Sequence, residues 1–412
     1  MSRRLLILFF TLASLYCFGQ DKTLEFFVES GITKSPLLKD FKNQKNSNAI
    51  DSLRIIASYK PQVTATSTNT YAPTYNGWGY ESAITNVGNF SQLISVNKRL
   101  VSKENLQNQY EAINLQNQTL DISGKVSEQD IRKSITSQYI TAYGDQQQLN
   151  FNNEMLKLLS KEETILKTLT EKNVYRQTDY LSFLVTLKQQ ELAISQIKIQ
   201  LQNDLATLNY LSGIYDTSLS TLSKPEVEPT IVEDVETTVF ARQFKIDSLK
   251  LKNNDAFIDY TYKPKVDLYA DAGHISTFQS EPYKNFGTSF GVSITMPIYD
   301  GKQKKMQHDK NAISQLIRSD YEQYFKSQYM QQIAQLVQQL QSTDQFIIQA
   351  KDQLKYSEAL IDANRKLLVS GDVRMADFIL AIGNYLSAKN TITQTSINRL
   401  QIINQINYWN RK

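Results

Sequence analysis

The residues able to do chemistry are few. Among 412 residues there are two histidines, His274 and His308, and one cysteine, Cys17. Structural zinc sites take four Cys or His ligands, and thiol catalysis takes a cysteine beside a base. Neither set can be assembled here. No glycine-rich phosphate loop and no activated nucleophile is present, so the sequence points away from an enzyme and calls for no metal or cofactor. Lys and Arg (45) nearly balance Asp and Glu (41), for a net charge of +4. Without a basic stripe, this is no nucleic-acid binder. One charged pattern does recur: Arg176 stands three residues before Asp179, and Arg374 three before Asp377. On residue chemistry alone, each aspartate supports the first turn of a helix, where the dipole favours a carboxylate. Each arginine is then an exposed cation, worth about 0–1 kcal/mol in an ion pair.

The elements that position these residues follow from local patterns. Arg3 and Arg4, the apolar run Leu5–Leu15, and small residues at Cys17 and Gly19 form the three-part pattern of a secretory signal, with cleavage expected after Gly19. The rival reading, a lipidated Cys17, is disfavoured by the bulky Tyr16 before it. Cleavage of 1–19 removes the only cysteine, so an exported chain must rely on packing or assembly and not on disulfides. Beyond this segment no stretch is apolar for the roughly 18 residues a spanning helix needs, so any membrane part must be a β-barrel.

The chain repeats itself. Tyr59-Lys60-Pro61-Gln62-Val63 recurs as Tyr262-Lys263-Pro264-Lys265-Val266, 203 residues later, and Arg176-Gln177-Thr178-Asp179-Tyr180 lines up with Arg374-Met375-Ala376-Asp377-Phe378, 198 residues later. Two landmarks in one order mark a duplication, with a first repeat over 20–225 and a second over 226–412. The first copy is longer in the loop around Pro73–Tyr80. In each copy a helix runs to the Tyr-Lys-Pro, where proline turns the chain extended. A strand hairpin follows (61–97 and 264–297), then a long helix (98–172 and 301–370) and a return helix (178–212 and 376–409). In the second hairpin Val266, Leu268, Ala270 and Ala272 alternate with Asp267, Tyr269 and Asp271; Phe286, Phe290, Val292, Ile294 and Met296 alternate with Gly287, Ser289, Gly291, Ser293 and Thr295. This is the dyad pattern of a transmembrane strand, with Phe290, Val292, Ile294 and Met296 as lipid-facing candidates. A half-buried soluble hairpin has the same alternation. The first copy shows it less cleanly, in 63–71 and 88–97.

Leu100–Lys172 is 73 residues without proline, about 110 Å as a helix at 1.5 Å per residue. Both long helices are rich in Gln, Asn, Ser and Lys, with apolar residues at spacings of three and four, a pattern suited to coiled-coil packing with one wet face. Asn173 and Gly371 occupy matching places after them, and both types readily take the left-handed conformation that ends a helix. Segment 21–58 reads as about 38 further helical residues; end to end with the return helix it matches the long one. Four strands per chain cannot close a barrel, and an open edge cannot face lipid, so the chain must oligomerise. The fold expected is mainly α with a small transmembrane β part: a long-helix α-barrel continued by a β-barrel, four strands per chain, on an internal two-fold repeat.

Ser35-Pro36-Leu37-Leu38, the two Tyr-Lys-Pro motifs, the run from Phe290 to Gly301 and the run from Gly371 to Ala381, in this order over 21–410, resemble the TolC-type outer-membrane efflux protein family. The resemblance implies a homotrimer whose twelve strands close a barrel in the outer membrane, with an α-helical barrel extending into the periplasm. It implies docking to a periplasmic adaptor and an inner-membrane transporter, and export of small molecules or polypeptides. It also implies a lumen-facing carboxylate at Asp377, an acidic ring in the trimer, with Asp179, Arg374 and Arg176 as further periplasmic gate candidates. The family's second acid, three residues on, is Leu380 here. The tip residues Asn173, Val174, Tyr175, Gly371, Asp372 and Val373 are the candidates for adaptor contact. Lys98, Arg99, Lys103, Lys302, Lys304 and Lys305 flank the strands, as headgroup contacts or as a solvated face. Tyr71, Tyr75, Trp78, Tyr80 and Tyr283 form an interfacial girdle or simply tyrosine-rich loops. The competing reading is a periplasmic adaptor, which would offer one helical hairpin and a glycine-rich β-module. A secreted coiled coil would leave the alternating strands unexplained.

Overall fold

A computed structural model describes residues 22–81, 87–216, 218–230, 234–277 and 282–410; the signal segment 1–19, with its cleavage point and Cys17, lies outside them. In chain order the elements are α1 (Leu24–Lys34), α2 (Pro36–Ser58), β1 (Gln62–Tyr71), β2 (Gly88–Leu100), α3 (Lys103–Glu171), α4 (Gln177–Leu211), α5 (Val239–Thr261), β3 (Lys265–Thr277), β4 (Phe286–Thr295), α6 (Gln303–Ser370) and α7 (Met375–Trp409). Among the described residues no helix is long and apolar enough to cross a membrane.

Three boundaries differ from the sequence reading, each for a local reason. Segment 21–58 is two helices, because Pro36 cannot donate into a continuing helix and instead takes a first-turn position. The Ser35 hydroxyl caps the new start by accepting from the Leu38 N–H at 3.4 Å. Residues 98–100, expected to open the long helix, extend β2: Lys98, Arg99 and Leu100 pair with Leu268, Asp267 and Val266. Met296 falls just past β4, since Pro297 has no N–H for the ladder. At 69 residues α3 is about 100 Å long at 1.5 Å per residue.

The described chain forms two compact units, and neither coincides with a repeat. One comprises the residues up to Lys39, Gly124–Val239 and those from Phe325 on. Its apolar residues gather in clusters between helices. One cluster holds Leu159, Leu166, Tyr175, Phe183, Leu368, Val373, Met375 and Phe378; a second holds Phe27, Val28, Ile135, Tyr139, Leu205 and Leu208. Here α1 docks on the end of α4: the Ser30 hydroxyl donates to the Ser212 carbonyl and the Lys34 ammonium to that of Gly213, both at 2.9 Å. A cation at the carboxyl end of a helix also meets the favourable end of its dipole.

The other unit comprises Asp40–Ser123 and Phe240–Tyr324, and contains the sheet. Its helical segments are joined by side-chain amides: Asn108 and Asn253 each donate to the other's backbone carbonyl, at 3.0 and 3.1 Å. The sheet is antiparallel throughout, in the order β1-β2-β3-β4.

Candidate membrane sheet and helical turns

Register decides which side chains share a face, because facing residues of an antiparallel pair point the same way. Ile294 faces Val266, Val292 faces Leu268 and Phe290 faces Ala270. Across the next ladder Val266 faces Leu100, Ala270 faces Val96 and Ala272 faces Ile94; Val96 in turn faces Val63. One side of the sheet therefore carries Val63, Ile94, Val96, Leu100, Val266, Leu268, Phe290, Val292 and Ile294, with the single cation Lys98 among them, opposite Leu268 near the end of β2. The other carries Thr64, Thr66, Thr68 and Thr70, then Ser95, Asn97 and Arg99, then Lys265, Asp267 and Asp271, then Ser289, Ser293 and Thr295. On this polar side Arg99 and Asp267 form a two-point ion pair, at 2.8 and 3.4 Å, and Tyr269 lies over Gly291, where any side chain would collide with its hydroxyl.

The apolar side is left uncovered by the described residues. Phe290 is 90 % exposed, Val292 61 % and Ile294 69 %. Burying such residues is worth about 1.5–3 kcal/mol each, so a contiguous uncovered face marks a surface meant for another apolar phase. Within the described chain β1 and β4 are each paired on one side only, and free sheet edges invite further strands.

The turns after α3 and α6 belong to the other unit. Asn173 and Gly371 both have positive φ, 61° and 81°. The N–H groups of Asn173 and Val174 return to the carbonyls of Thr170 and Leu169; those of Gly371 and Asp372 return to Leu368 and Leu367. Both turns are thus Schellman closures, which satisfy helix-end carbonyls. They also pack on each other. A Cβ on Gly371 would lie 2.6 Å from Val174, the Tyr175 hydroxyl donates to the Val373 carbonyl at 3.0 Å, and the rings of Phe183 and Phe378 stack.

Of the residues offered for adaptor contact, Asn173, Val174 and Asp372 are exposed and Gly371 is half-buried. Tyr175 and Val373 are buried in the apolar cluster, so their side chains hold the turns together and present nothing to a partner. Among the gate candidates, the Arg374 guanidinium grips Asp377 at 2.7 and 3.1 Å, whereas the Asp179 carboxylate accepts from the backbone N–H of Arg176 at 3.2 Å. Near the strand ends the Asp300 carboxylate accepts from the N–H groups of Lys302 and Lys304, at 2.9 and 2.7 Å. Those bonds, led by the one from Lys304, hold Asp300 below the usual carboxylate range. This cap offsets the cations that stand unfavourably at the start of α6. The Lys304 ammonium is itself paired to Asp259 at 2.8 Å. Tyr71, Tyr75, Trp78, Tyr80 and Tyr283 are all exposed.

Sequence reasoning passed over three features. Glu162, 2 % exposed, is bonded to Arg365 at 2.8 Å; its spacing with Leu159 and Leu166 on one helical face was the available signal. His308 lies between two carboxylates, 2.8 Å from Asp255 and 3.4 Å from Asp259, and the hydrogen bond to Asp255 raises its pKa. Asp145 and Asp204 interact across α3 and α4, and no local pattern announces them.

No protein-family model matches the sequence, and no curated protein matches it. Solved structures do match. CusC, studied for the conformational changes accompanying folding and transmembrane channel formation, aligns at 13 % identity over 96 % of this chain and 94 % of its own, with TM-score 0.75. The outer membrane protein VceC of Vibrio cholerae aligns at 13 % over 94 % and 96 %, with TM-score 0.74. The open state of the MtrE outer membrane channel of Neisseria gonorrhoeae aligns at 13 % over 94 % and 88 %, with TM-score 0.72. The chain has the TolC-type channel fold. Within this fold the two Arg-x-x-Asp turns are not interchangeable. Asp179→Ala removes a carboxylate that accepts the Arg176 N–H at the start of α4 and is expected to cost about 1 kcal/mol. Asp377→Ala breaks an exposed ion pair and is expected to cost about 0–1 kcal/mol. Denaturant unfolding of the two variants, read against the unchanged protein, checks the order.

Proposed function

We propose that this chain is a passive channel of the outer membrane, closed by three copies into a twelve-stranded barrel, with its helices extending into the periplasm. The observation that carries the reading is the single-layer sheet: among the described residues one face is mainly apolar and uncovered, the other is polar, and both edges are open. An apolar outer face with a polar lumen is what a bilayer requires of a barrel, and edges must be closed before lipid can surround them. The count of three comes from the TolC-type resemblance. An adaptor would present one helical hairpin, and this chain has two. In this reading energy and cargo choice belong to an inner-membrane transporter joined through a periplasmic adaptor. The exposed turn residues Asn173, Val174, Asp372 and Arg176 are offered as the adaptor contact, and the Arg374–Asp377 pair as part of the periplasmic gate.

The helices add support for self-association. Val185, Leu192 and Ile199 recur every seven residues on α4 and are exposed; on α6 Leu360 and Leu367 are seven apart and Phe346 lies fourteen before Leu360, with Gln353 between, and all three are exposed too. Such stripes are coiled-coil seams awaiting a partner helix. The deciding measurement is the mass of the detergent-extracted protein from the outer-membrane fraction, corrected for bound detergent. A trimer extractable only by detergent is expected; a water-soluble monomer overturns the reading. Leu192→Lys is expected to weaken the trimer by roughly 1.5–3 kcal/mol per chain, the value of one buried leucine, and to shift the mass toward monomer on dilution.

A further inference from the structure

We propose that Asp145 on α3 and Asp204 on α4 share a single proton, and that this proton clasps the two helices together, so that their pairing loosens when it leaves. Asp145 Oδ2 is shielded from solvent and accepts a hydrogen bond from no donor among the described residues, while its carboxyl is engaged with that of Asp204. Two ionised carboxylates have only acceptors to offer each other, so one of them must carry a proton for the contact to be a bond. The surroundings decide which. Asp204 accepts from Gln138 Nε2 at 2.9 Å and from Gln200 Nε2 at 2.7 Å, and so is the better place for the charge. Asp145 has neither donor and keeps the proton.

Ionisation energetics agree with this division. Burial, then the bond to Asp204, then its charge push Asp145 up to about 7. Burial acts to raise Asp204 as well, but the bonds from Asp145, Gln200 and Gln138 outweigh it and hold Asp204 low. The charged groups of neighbouring elements are engaged elsewhere. On α7, which comes close to α3 at Gly144, Arg399 is paired to Asp344 and the Lys389 ammonium lies over the Phe151 ring. Lys22 is paired to Asp216, and the Tyr139 hydroxyl donates to backbone carbonyls of Lys22 and Ser223.

The sign follows from the raised carboxyl of Asp145. A group whose folded pKa lies above its unfolded value gives stability that is complete below the unfolded carboxylate range and is lost as pH rises through the folded value, here about 7. The joint between α3 and α4 therefore tightens in acid and slackens in mild alkali. At the matching places of the second repeat, 198 residues on, stand Thr343 and Ile402, both buried and neither titratable. Only one of the two hairpins of each chain then responds to pH through this contact. The inference does not depend on the channel reading.

The test uses the detergent-extracted full chain. Hydrogen exchange of the segments around 145 and 204, corrected for intrinsic rate, is expected to show opening that grows roughly tenfold from about pH 6 to about pH 8. Asp145→Asn, isosteric and permanently neutral, is expected to keep the acid-side protection at both pH values. Infrared difference spectra over the same range give a second readout: the carbonyl stretch of a protonated carboxyl should disappear on the alkaline side and be absent throughout in Asp145→Asn. Equal pH dependence of exchange in the two proteins, or no protonated-carboxyl band on the acid side, overturns the proposal.

Discussion

Lysine at Val292 or at Ile294 is expected to impair assembly in the membrane, whereas lysine at Ser293 leaves it intact. The three positions are consecutive, and their side chains divide between the faces of β4. Val292 and Ile294 face Leu268 and Val266 on the apolar side; Ser293 faces Asp267 on the polar side. An ammonium on the lipid side of a barrel costs about 2–4 kcal/mol near the bilayer midplane and less toward the interfaces, where Lys98 already stands opposite Leu268. That cost recurs in every copy around a closed ring, which puts it within reach of a domain's whole stability. At Ser293 the same group stands beside an Asp267 carboxylate that already holds Arg99, in a face that water reaches. The check is the yield of detergent-resistant oligomer from the outer-membrane fraction for the three variants. Single cysteines add an independent reading: a water-soluble maleimide should label residue 293 and spare residue 292. Equal yields and equal labelling would remove the membrane barrel and the channel with it.

How much of this was legible depended on whether the information was local. The β3–β4 alternation was, because Val266–Ala272 and Phe286–Ile294 switch polarity residue by residue. The faces of β1 were not: Thr64, Thr66, Thr68 and Thr70 mark its polar side, but the other side fades from Val63 and Ala65 to Ser67 and Asn69. Its orientation is fixed by the ladder to β2. Lys98 and Arg99 looked like a helix start, and became strand because β3 offers partners and Asp267 a counter-charge. Such partners lie more than 160 residues away, beyond any window of periodicity. The turn backbone was readable from Asn173 and Gly371, since so few residues accept positive φ. What the side chains do at the turns was not. Tyr175 looked like a surface aromatic, yet its hydroxyl is tied to Val373 in the other repeat. The candidate site is thus sharpest where one residue dictates its own backbone, and blurred where two repeats meet.

The same meeting of repeats carries the second large effect. Arg365→Met is expected to destabilise the chain by about 3–5 kcal/mol, because it leaves the Glu162 carboxylate buried without its partner. Glu162 on α3 is enclosed beside Leu159 and Leu166, and Arg365 on α6 reaches it at 2.8 Å while also lying 3.5 Å from Asp362. Methionine keeps much of the arginine stem, so the loss measures the charge and not a cavity. Adding Glu162→Gln should recover most of it, since a neutral amide tolerates burial far better than an orphaned carboxylate. The difference between the double variant and the sum of the singles is the coupling of the pair. A small coupling would mean that the apolar cluster around Leu166 and Leu368 holds α3 against α6 unaided. A large one, with the double variant nearly as stable as the original, would mean that the pair contributes little net energy and penalises every other register of the two helices. Cysteine cross-linking between α3 and α6 in the double variant separates those cases: a single cross-link register says the apolar contacts suffice, and several say the ion pair was choosing among them.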